Sequence, residues 1–180
     1  MLKIQVPATE LFNEDTSEFI YIKSQELLLE HSLVSVSKWE SKWQKAFIDP
    51  YNTKTIPETI DYIRCMTITK GVDPLLYKTM NNVVLDQIND YINNPMTATT
   101  ITDFSPKSST KKVTSEEIYQ WMVWLGIPFE CEKWHLNRLL TLIKVCEIKS
   151  QGGKKMSAKE TAMNNAELNA LRRAKMKTKG

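Results

Sequence analysis

The sequence is poor in the residues that β-rich, secreted and membrane proteins need. Only five glycines stand among 180 residues, which favours a helical scaffold over a turn-rich β fold. The cysteines are odd in number and widely separated, unlike a disulfide framework: Cys65, Cys131 and Cys146. No stretch approaches the roughly 20 apolar residues that cross a bilayer, and the N-terminus lacks a signal-peptide core. We therefore expect a cytoplasmic protein without a membrane partner.

Recognisable catalytic motifs are also missing. The chain has two histidines, neither within a known nucleophile motif, and it has no GxSxG, GxxxxGKS or GxGxxG pattern. Cys131 and His135 could share a helical face and begin a metal site with Cys146 or His31, but paired CxxC ligands are absent. We predict no enzymatic activity, no cofactor and no metal site.

What the chain does contain is the composition of a globular protein, with 42% hydrophobic and 25% charged residues. The expected fold class is mainly α with a small N-terminal antiparallel β hairpin or sheet (α+β), as a single domain with a basic C-terminal helical arm. The predicted divisions are an N-terminal β segment at 1–31, a helical body at 32–149 and a hinged basic arm at 150–180.

Alternating apolar residues predict the N-terminal strands. Leu2, Ile4 and Val6 alternate with polar neighbours, a polar turn follows at 13–17, and residues 19–22 form the next apolar run. Residues 27–29 could add a third strand.

From Ser32 the apolar period becomes helical. One stripe should lie on a helix that ends before Pro50 and packs on the sheet: Leu33, Val36, Trp39, Trp43 and Phe47. The stripe could be a stacking platform for nucleic acid, but helical spacing favours a core position. Further helices are predicted from Thr55, from Asp73-Pro74 and over residues 83–92, and a strand or extended arm over 97–104, followed by a loop to residue 112.

The last part of the body contains the most apolar helical pattern. Thr114 and Glu117 form a capping box, as do Thr55 and Glu58, and Gly126 stands where a left-handed helix terminator belongs. An apolar helix is then predicted from Trp134 to Ile148. Within it, His135, Asn137 and Arg138 are polar positions, and a buried Asn137 or Arg138 would need partners, which Glu117, Glu130 and Glu132 could supply. We interpret these three as a structural network, with a binding site as the alternative.

Charge is divided unevenly along the chain. Residues 149–180 hold nine Lys or Arg against Glu160 and Glu167, a net charge of +7 in a chain whose total is +3. Gln151-Gly152-Gly153 predicts a hinge, and Ser157 to Glu160 a third capping box. The candidate partner-binding residues are Lys154, Lys155, Lys159, Leu168, Leu171, Arg172, Arg173 and Lys175. They could contact an acidic protein surface, nucleic acid phosphates or only solvent.

Several segments carry a resemblance to a known family. They are residues 27–43, 87–92, 96–100 and 127–143, together with the C-terminal residues 169–173 and 178–180. In these segments the chain resembles tailed-bacteriophage proteins encoded among tail genes and described as tail assembly chaperones. The resemblance covers nearly the whole chain and brings no catalytic residues with it.

The resemblance implies a role in virion morphogenesis in the cytoplasm of an infected bacterial host. The implied partner is the tape-measure protein or another tail component such as the tail tube subunit. We expect a helical body, with Trp121, Trp124 and Trp134 as core or rim anchors, to present the basic arm to this partner. A homo-oligomer is a further form that the chain could take. The alternatives are a structural tail or neck component retained in the virion, and a nucleic-acid-binding protein that uses the arm.

Overall fold

A computed structural model of the chain describes residues 1–13, 17–51, 53–101, 112–151, 162–163, 165–169 and 172. It confirms the predicted α+β class, mainly helical with a small antiparallel β structure at the N-terminus. The strands are β1 (Leu2–Val6), β2 (Thr9–Asn13), β3 (Glu18–Ile22) and β4 (Gln25–Leu29). The helices are α1 (Leu33–Trp43), α2 (Ile56–Met66), α3 (Asn82–Asn93), α4 (Ser115–Trp124) and α5 (Leu136–Gln151), with 3₁₀ helices at Pro74–Lys78 and Phe129–Lys133.

By its internal contacts the chain divides into two compact units, Met1–Lys144 and Val145–Gly180. In the second unit the backbone is helical at 145–151, 162–163, 165–169 and 172. The divisions predicted after residues 31 and 149 stay predictions. No helix in the described part of the chain is long and apolar enough to cross a membrane.

The four strands form two antiparallel ladders that share one register. β1 pairs with β4, and β2 pairs with β3. Val6 at the end of β1 lies opposite Gln25, and Thr9 at the start of β2 lies opposite Ile22, so the same register continues from one ladder to the next. Pro7 stands at the interruption, where its missing N–H cannot join a ladder. The sequence prediction of three strands was wrong, because it left out β2.

The ladder of β1 and β4 belongs to the core. Ile4, Val6, Leu27 and Leu29 are almost fully buried, and α3 contacts β1. β4 also joins the segment that follows α2, since Ile68 N–H donates to the Leu28 carbonyl at 2.8 Å. Burial of each such side chain stabilises the fold by about 1.5–3 kcal/mol.

The predicted stripe of α1 is buried at Leu33, Val36 and Trp39. Two details of that prediction were wrong. The helix ends at Trp43, because Gln44 adopts the left-handed conformation (φ 54°) and its N–H bonds to the Glu40 carbonyl, so Phe47 lies beyond the helix. The helix packs chiefly against α2, with further contacts to α4 and the Phe129–Lys133 helix, rather than on the sheet.

The aromatic residues of this region form a cluster between α1 and α2. Trp39 Nε1 donates to the Glu58 carbonyl at 2.9 Å, and the Phe47 ring lies 4.1 Å from that of Tyr62. Lys54 places its ammonium 3.9 Å from the Phe47 ring centre, in cation–π geometry. The preferred interpretation of the stripe as core packing agrees with these contacts, since Trp39 is buried and Phe47 is half-buried.

Both capping boxes within the described residues are confirmed. The hydroxyls of Thr55 and Thr114 accept from the N–H groups of Glu58 and Glu117, whose carboxylates return the bond. Gly126 has φ +66°, as a helix terminator requires. The third box, at 157–160, lies outside the described residues.

Two other sequence predictions need correction. The pattern from Trp134 to Ile148 is not one helix, because Trp134 ends the Phe129–Lys133 helix and α5 begins at Leu136. The strand predicted for 97–104 is not seen in its described part, 97–101, which is irregular; residues 102–111 lie outside the described residues.

Candidate interaction surfaces

A buried cluster of histidine and tyrosine side chains, the His–Tyr cluster, lies where β4 leads into α1. His31 Nδ1 and the Tyr62 hydroxyl are 2.5 Å apart, and the His31 N–H donates to the Tyr91 hydroxyl at 3.4 Å. The His31 and His135 rings meet edge to face at 4.9 Å. The cluster therefore connects the start of α1 with α2, α3 and the residue before α5.

His135 is held in one orientation by main-chain bonds. Its Nε2 donates to the Tyr91 carbonyl at 2.9 Å, and the following N–H, of Leu136, donates to the His31 carbonyl at 2.8 Å. Within the described part of the chain, the buried Nδ1 has no hydrogen-bond partner. Burial lowers the pKa of both rings, that of His31 to about 3 with a smaller effect from neighbouring His135. The cluster is therefore built for two neutral imidazoles.

The predicted network of His135, Asn137 and Arg138 is only partly brought together. Asn137 bonds to the same end of α3 as His135, since its amide donates to the carbonyls of Ile92 and Asn94, both at 2.9 Å. Arg138 instead places its guanidinium over the Trp134 ring at 4.2 Å. The acceptors of Asn137 are carbonyls rather than the glutamates considered from sequence, and Glu132 accepts from the Tyr119 hydroxyl.

The metal ligands weighed in the sequence do not form a cluster in the described structure. Over the described residues there is no group of three or more His, Cys, Asp or Glu side chains placed to hold a metal ion. His31 and His135 direct ring nitrogens at the Tyr62 hydroxyl and the Tyr91 carbonyl.

Most of the predicted arm residues lie outside the described part of the chain: Lys154, Lys155, Lys159, Leu171, Arg173 and Lys175. Of the two that are described, Leu168 is partly buried and Arg172 is exposed. They stand four residues apart, which is about one helical turn. The tryptophans named as anchors differ in exposure, because Trp121 and Trp134 are half-buried whereas Trp124 is 78% exposed.

One exposed aromatic surface was not predicted from sequence. The register of β2 and β3 places Phe12 opposite Phe19 and Glu10 opposite Tyr21, so these four side chains, the aromatic face, project from one side of the ladder. The two Phe rings lie 5.1 Å apart. Phe12, Phe19 and Tyr21 are 53%, 70% and 62% exposed. Exposed apolar surface is one of the features by which interaction sites are recognised, so the aromatic face is a candidate site.

The opposite side of the same ladder is covered. Ile22 is buried, and Leu11 and Ile20 are partly buried. Within the described residues, β2 pairs only with β3, so each strand also has one unpaired edge. The aromatic face is therefore held outward by a ladder whose other side is packed.

The charged residues in the sequence of the hairpin that carries the aromatic face all have one sign. Residues 9–22 contain Glu10, Glu14, Asp15 and Glu18 and no Lys or Arg. Glu10 and Glu18 are exposed. A partner of this face therefore gains from apolar contact and from positive charge.

A signal for this face was present in the sequence. Thr9, Leu11 and Asn13 alternate with Glu10 and Phe12, and the polar residues 13–17 stand between Phe12 and Phe19. Five residues with one apolar position on each side are a weak strand pattern, so the alternation does not predict β2. Without β2, the pairing of Phe12 with Phe19 could not be deduced.

A second surface is an open groove of about 350 Å³ beside α2. Its charged residues are Lys42, Asp61 and Arg64. Asp61 already accepts from Lys42 and from Trp43 Nε1, and these bonds lower the pKa of its carboxyl against the opposing effect of burial. The charges of the groove thus serve the packing of α1 on α2.

Comparisons with protein-family models, with curated proteins and with solved structures give no match to this chain.

Proposed function

We propose that this chain is a tail morphogenesis protein of a tailed bacteriophage, an assembly chaperone that binds the tape-measure protein or another tail protein in the host cytoplasm. The observation that carries the proposal is the aromatic face. Three aromatic side chains stand exposed on one side of a hairpin whose other side is packed. The resemblance of the sequence to tail assembly chaperones supplies the class of partner.

The chemistry of such a partner agrees with this surface. A tape-measure protein is an extended helical chain, which exposes apolar side chains until the tail tube encloses it. Aromatic side chains are the residues that most often dominate protein interfaces, because each buries a large area at little cost in conformational entropy. The aromatic face and the cationic C-terminal segment thus provide two contacts of different chemistry, and catalysis needs no part in the proposal.

The test is an affinity capture of the tagged full-length chain from cells infected with its phage, with bound proteins identified by mass spectrometry. We expect tail proteins in the wild-type sample and a loss of about tenfold or more with Phe12→Ser/Phe19→Ser. The matched control is Ile56→Ser/Val83→Ser, which removes exposed apolar side chains from α2 and α3 and should leave capture unchanged. Equal capture by all three chains would contradict the assignment of the aromatic face.

Mass spectrometry of purified virions distinguishes a chaperone from a structural component. A chaperone should be absent from mature particles, whereas a tail or neck subunit is present in stoichiometric amount. Presence at the level of known tail proteins would replace the chaperone proposal with the structural one.

The net charge of +7 on residues 149–180 favours nucleic acid as a second candidate partner. Binding through phosphates would weaken steeply with salt, because each neutralised phosphate releases counterions. A titration of double-stranded DNA from about 50 to about 200 mM salt tests this candidate. Affinity lost by orders of magnitude across that range would support it, and no binding at low salt would remove it.

A further inference from the structure

We infer that the aromatic face of one copy binds the basic C-terminal segment of a second copy, so that the chain self-associates head to tail. This inference rests on the aromatic face used in the proposed function, but its partner is the chain itself. It names a second occupant of the same surface, one that a tail protein would have to displace.

Charge complementarity selects this occupant. Residues 9–22 contain four acidic residues and no basic one, whereas residues 149–180 carry a net charge of +7. Glu10 is exposed on the same side of the ladder as the aromatic rings, and Glu18 is exposed at the end of the ladder. A symmetric contact between two aromatic faces would bring the acidic residues of both copies together, and this repulsion disfavours it.

The C-terminal segment also offers apolar side chains for the rings. Its backbone is helical at 162–163, 165–169 and 172, where Met163 is exposed and Leu168 is partly buried. Arg172 follows Leu168 by about one helical turn and is exposed. Methionine and leucine can pack on aromatic rings while a neighbouring cation faces the carboxylate of Glu10.

The size of the surface indicates a weak association. Three aromatic side chains offer at most about 150–250 Å² each, so the contact falls in the class of small interfaces below about 1,200 Å². Because the two surfaces lie on different parts of the chain, the contact is not symmetric, and each added copy leaves one aromatic face and one basic segment free. The expected species are short open chains that grow with protein concentration.

Two charge-reversed full-length chains test the inference. The face variant is Glu10→Lys/Glu18→Lys, and the segment variant is Arg172→Glu/Arg173→Glu/Lys175→Glu. Sedimentation velocity at about 50 mM salt should show concentration-dependent association of the wild type and a monomer for each variant alone. At about 500 mM salt the wild-type association should also disappear.

The mixture of the two variants is the decisive sample. The intact basic segment of the face variant can bind the intact aromatic face of the segment variant, and the two reversed surfaces again carry opposite charges, so we expect association to return in the mixture. A wild type that stays monomeric at every concentration would overturn the inference, as would a mixture that forms no complex. A segment variant that still associates alone would overturn it in favour of contact between like surfaces.

A charge-neutral double variant controls for misfolding of the charge-reversed chains. Glu10→Gln/Glu18→Gln removes charge without reversing it and should weaken association by about tenfold, with an unchanged circular dichroism spectrum. An unchanged association constant would count against the inference. All of these samples lack tail proteins, so their failure leaves the proposed function standing, and a failed capture from infected cells leaves self-association standing.

Discussion

Glu40 is a buried carboxylate that joins separate parts of the first unit. One of its oxygens accepts from the Phe47 N–H and the other from the Ser115 N–H, each at 2.7 Å. The residue is 7% exposed, so both bonds lie away from water, where bonds to a charged acceptor are strong. Through this side chain, α1 holds the segment that follows it and the first turn of α4.

Replacing Glu40 with Gln should destabilise the fold, because an amide cannot accept a hydrogen bond at both ends. Its NH₂ group would face one of the two backbone N–H donors. We expect the free energy of unfolding to fall by about 1–3 kcal/mol in urea denaturation followed by tryptophan fluorescence. Lys38→Gln, at an exposed position of the same helix, is the control and should change it by less than about 0.5 kcal/mol. Similar losses for the two variants would contradict this role of Glu40.

The His–Tyr cluster makes stability depend on pH. Burial lowers the pKa of His31 to about 3 and also lowers the pKa of His135, from an ordinary value of 6.5. Between about pH 3 and pH 6.5, the unfolded chain binds a proton at His31 that the folded chain does not bind. This contribution to the free energy of unfolding is therefore present above about pH 6.5 and is lost as the pH falls. The carboxyls of Glu58 and Asp61, whose pKa values are lowered from 4.5 and 3.8, add their losses only at lower pH.

We therefore predict that the free energy of unfolding falls by about 1 kcal/mol per pH unit between about pH 6.5 and pH 5, from His31 alone. Urea denaturation of the wild type and of His31→Gln at matched pH values measures the effect. The variant should be less stable at neutral pH and should lose less stability on acidification. Parallel pH profiles for the two chains would show that His31 does not cause the dependence.

At this scale the sequence identified the residues but not their partners. His135 and Asn137 stand out as polar positions in an apolar helical pattern, and both are bonded in the structure. Their acceptors are carbonyls of α3, 44 and 45 residues away. Which carbonyls lie within reach depends on how α3 and α5 pack, and this packing leaves no local pattern in the chain.

The two ladders of the hairpin differ in how they are held. β1 and β4 place Ile4, Val6 and Leu27 in the core, whereas β2 and β3 expose Phe12 and Phe19. An isolated two-stranded ladder is marginal in water, and the cross-strand aromatic pair adds only about 0.5–1.5 kcal/mol. The outer ladder therefore depends on its inner neighbour for stability.

We predict that the backbone amides of β2 and β3 exchange with deuterium at least about tenfold faster than the paired amides of β1 and β4. Local opening of the outer ladder exposes little additional apolar surface, whereas opening of the inner ladder disrupts the core. Hydrogen exchange of the free chain, read by mass spectrometry, resolves the two pairs of strands. Equal protection in both ladders would show that the outer ladder is part of the core unit.

Elements could be predicted where their signals are local. Each of three such signals lies within four consecutive residues, and the structure confirms all three: the capping boxes at Thr55 and Thr114 and the left-handed Gly126. The predicted end of α1 was wrong, because Gln44 takes a left-handed conformation, which glycine or asparagine adopts more often than glutamine. β2 was missed because its five residues become a strand only through pairing with β3.

At the scale of the whole molecule, two surfaces of opposite charge coexist in one chain. The aromatic face carries acidic residues, and residues 149–180 carry a net charge of +7. Composition alone revealed the cationic segment, because charge is counted along the chain. The aromatic face depends on strand register and on exposure, which only the folded structure supplies.

The most direct measurement is site-specific photo-crosslinking in infected cells. A benzophenone amino acid replaces Tyr21 on the aromatic face in one chain, and in a second chain it replaces Tyr51, an aromatic residue that is 76% exposed and belongs to the segment between α1 and α2. We predict that position 21 forms adducts with an identified tail protein and with peptides from residues 149–180 of another copy, and that position 51 does not. Adducts of the same proteins in equal yield at both positions, or none at position 21, would contradict the function assigned to the aromatic face.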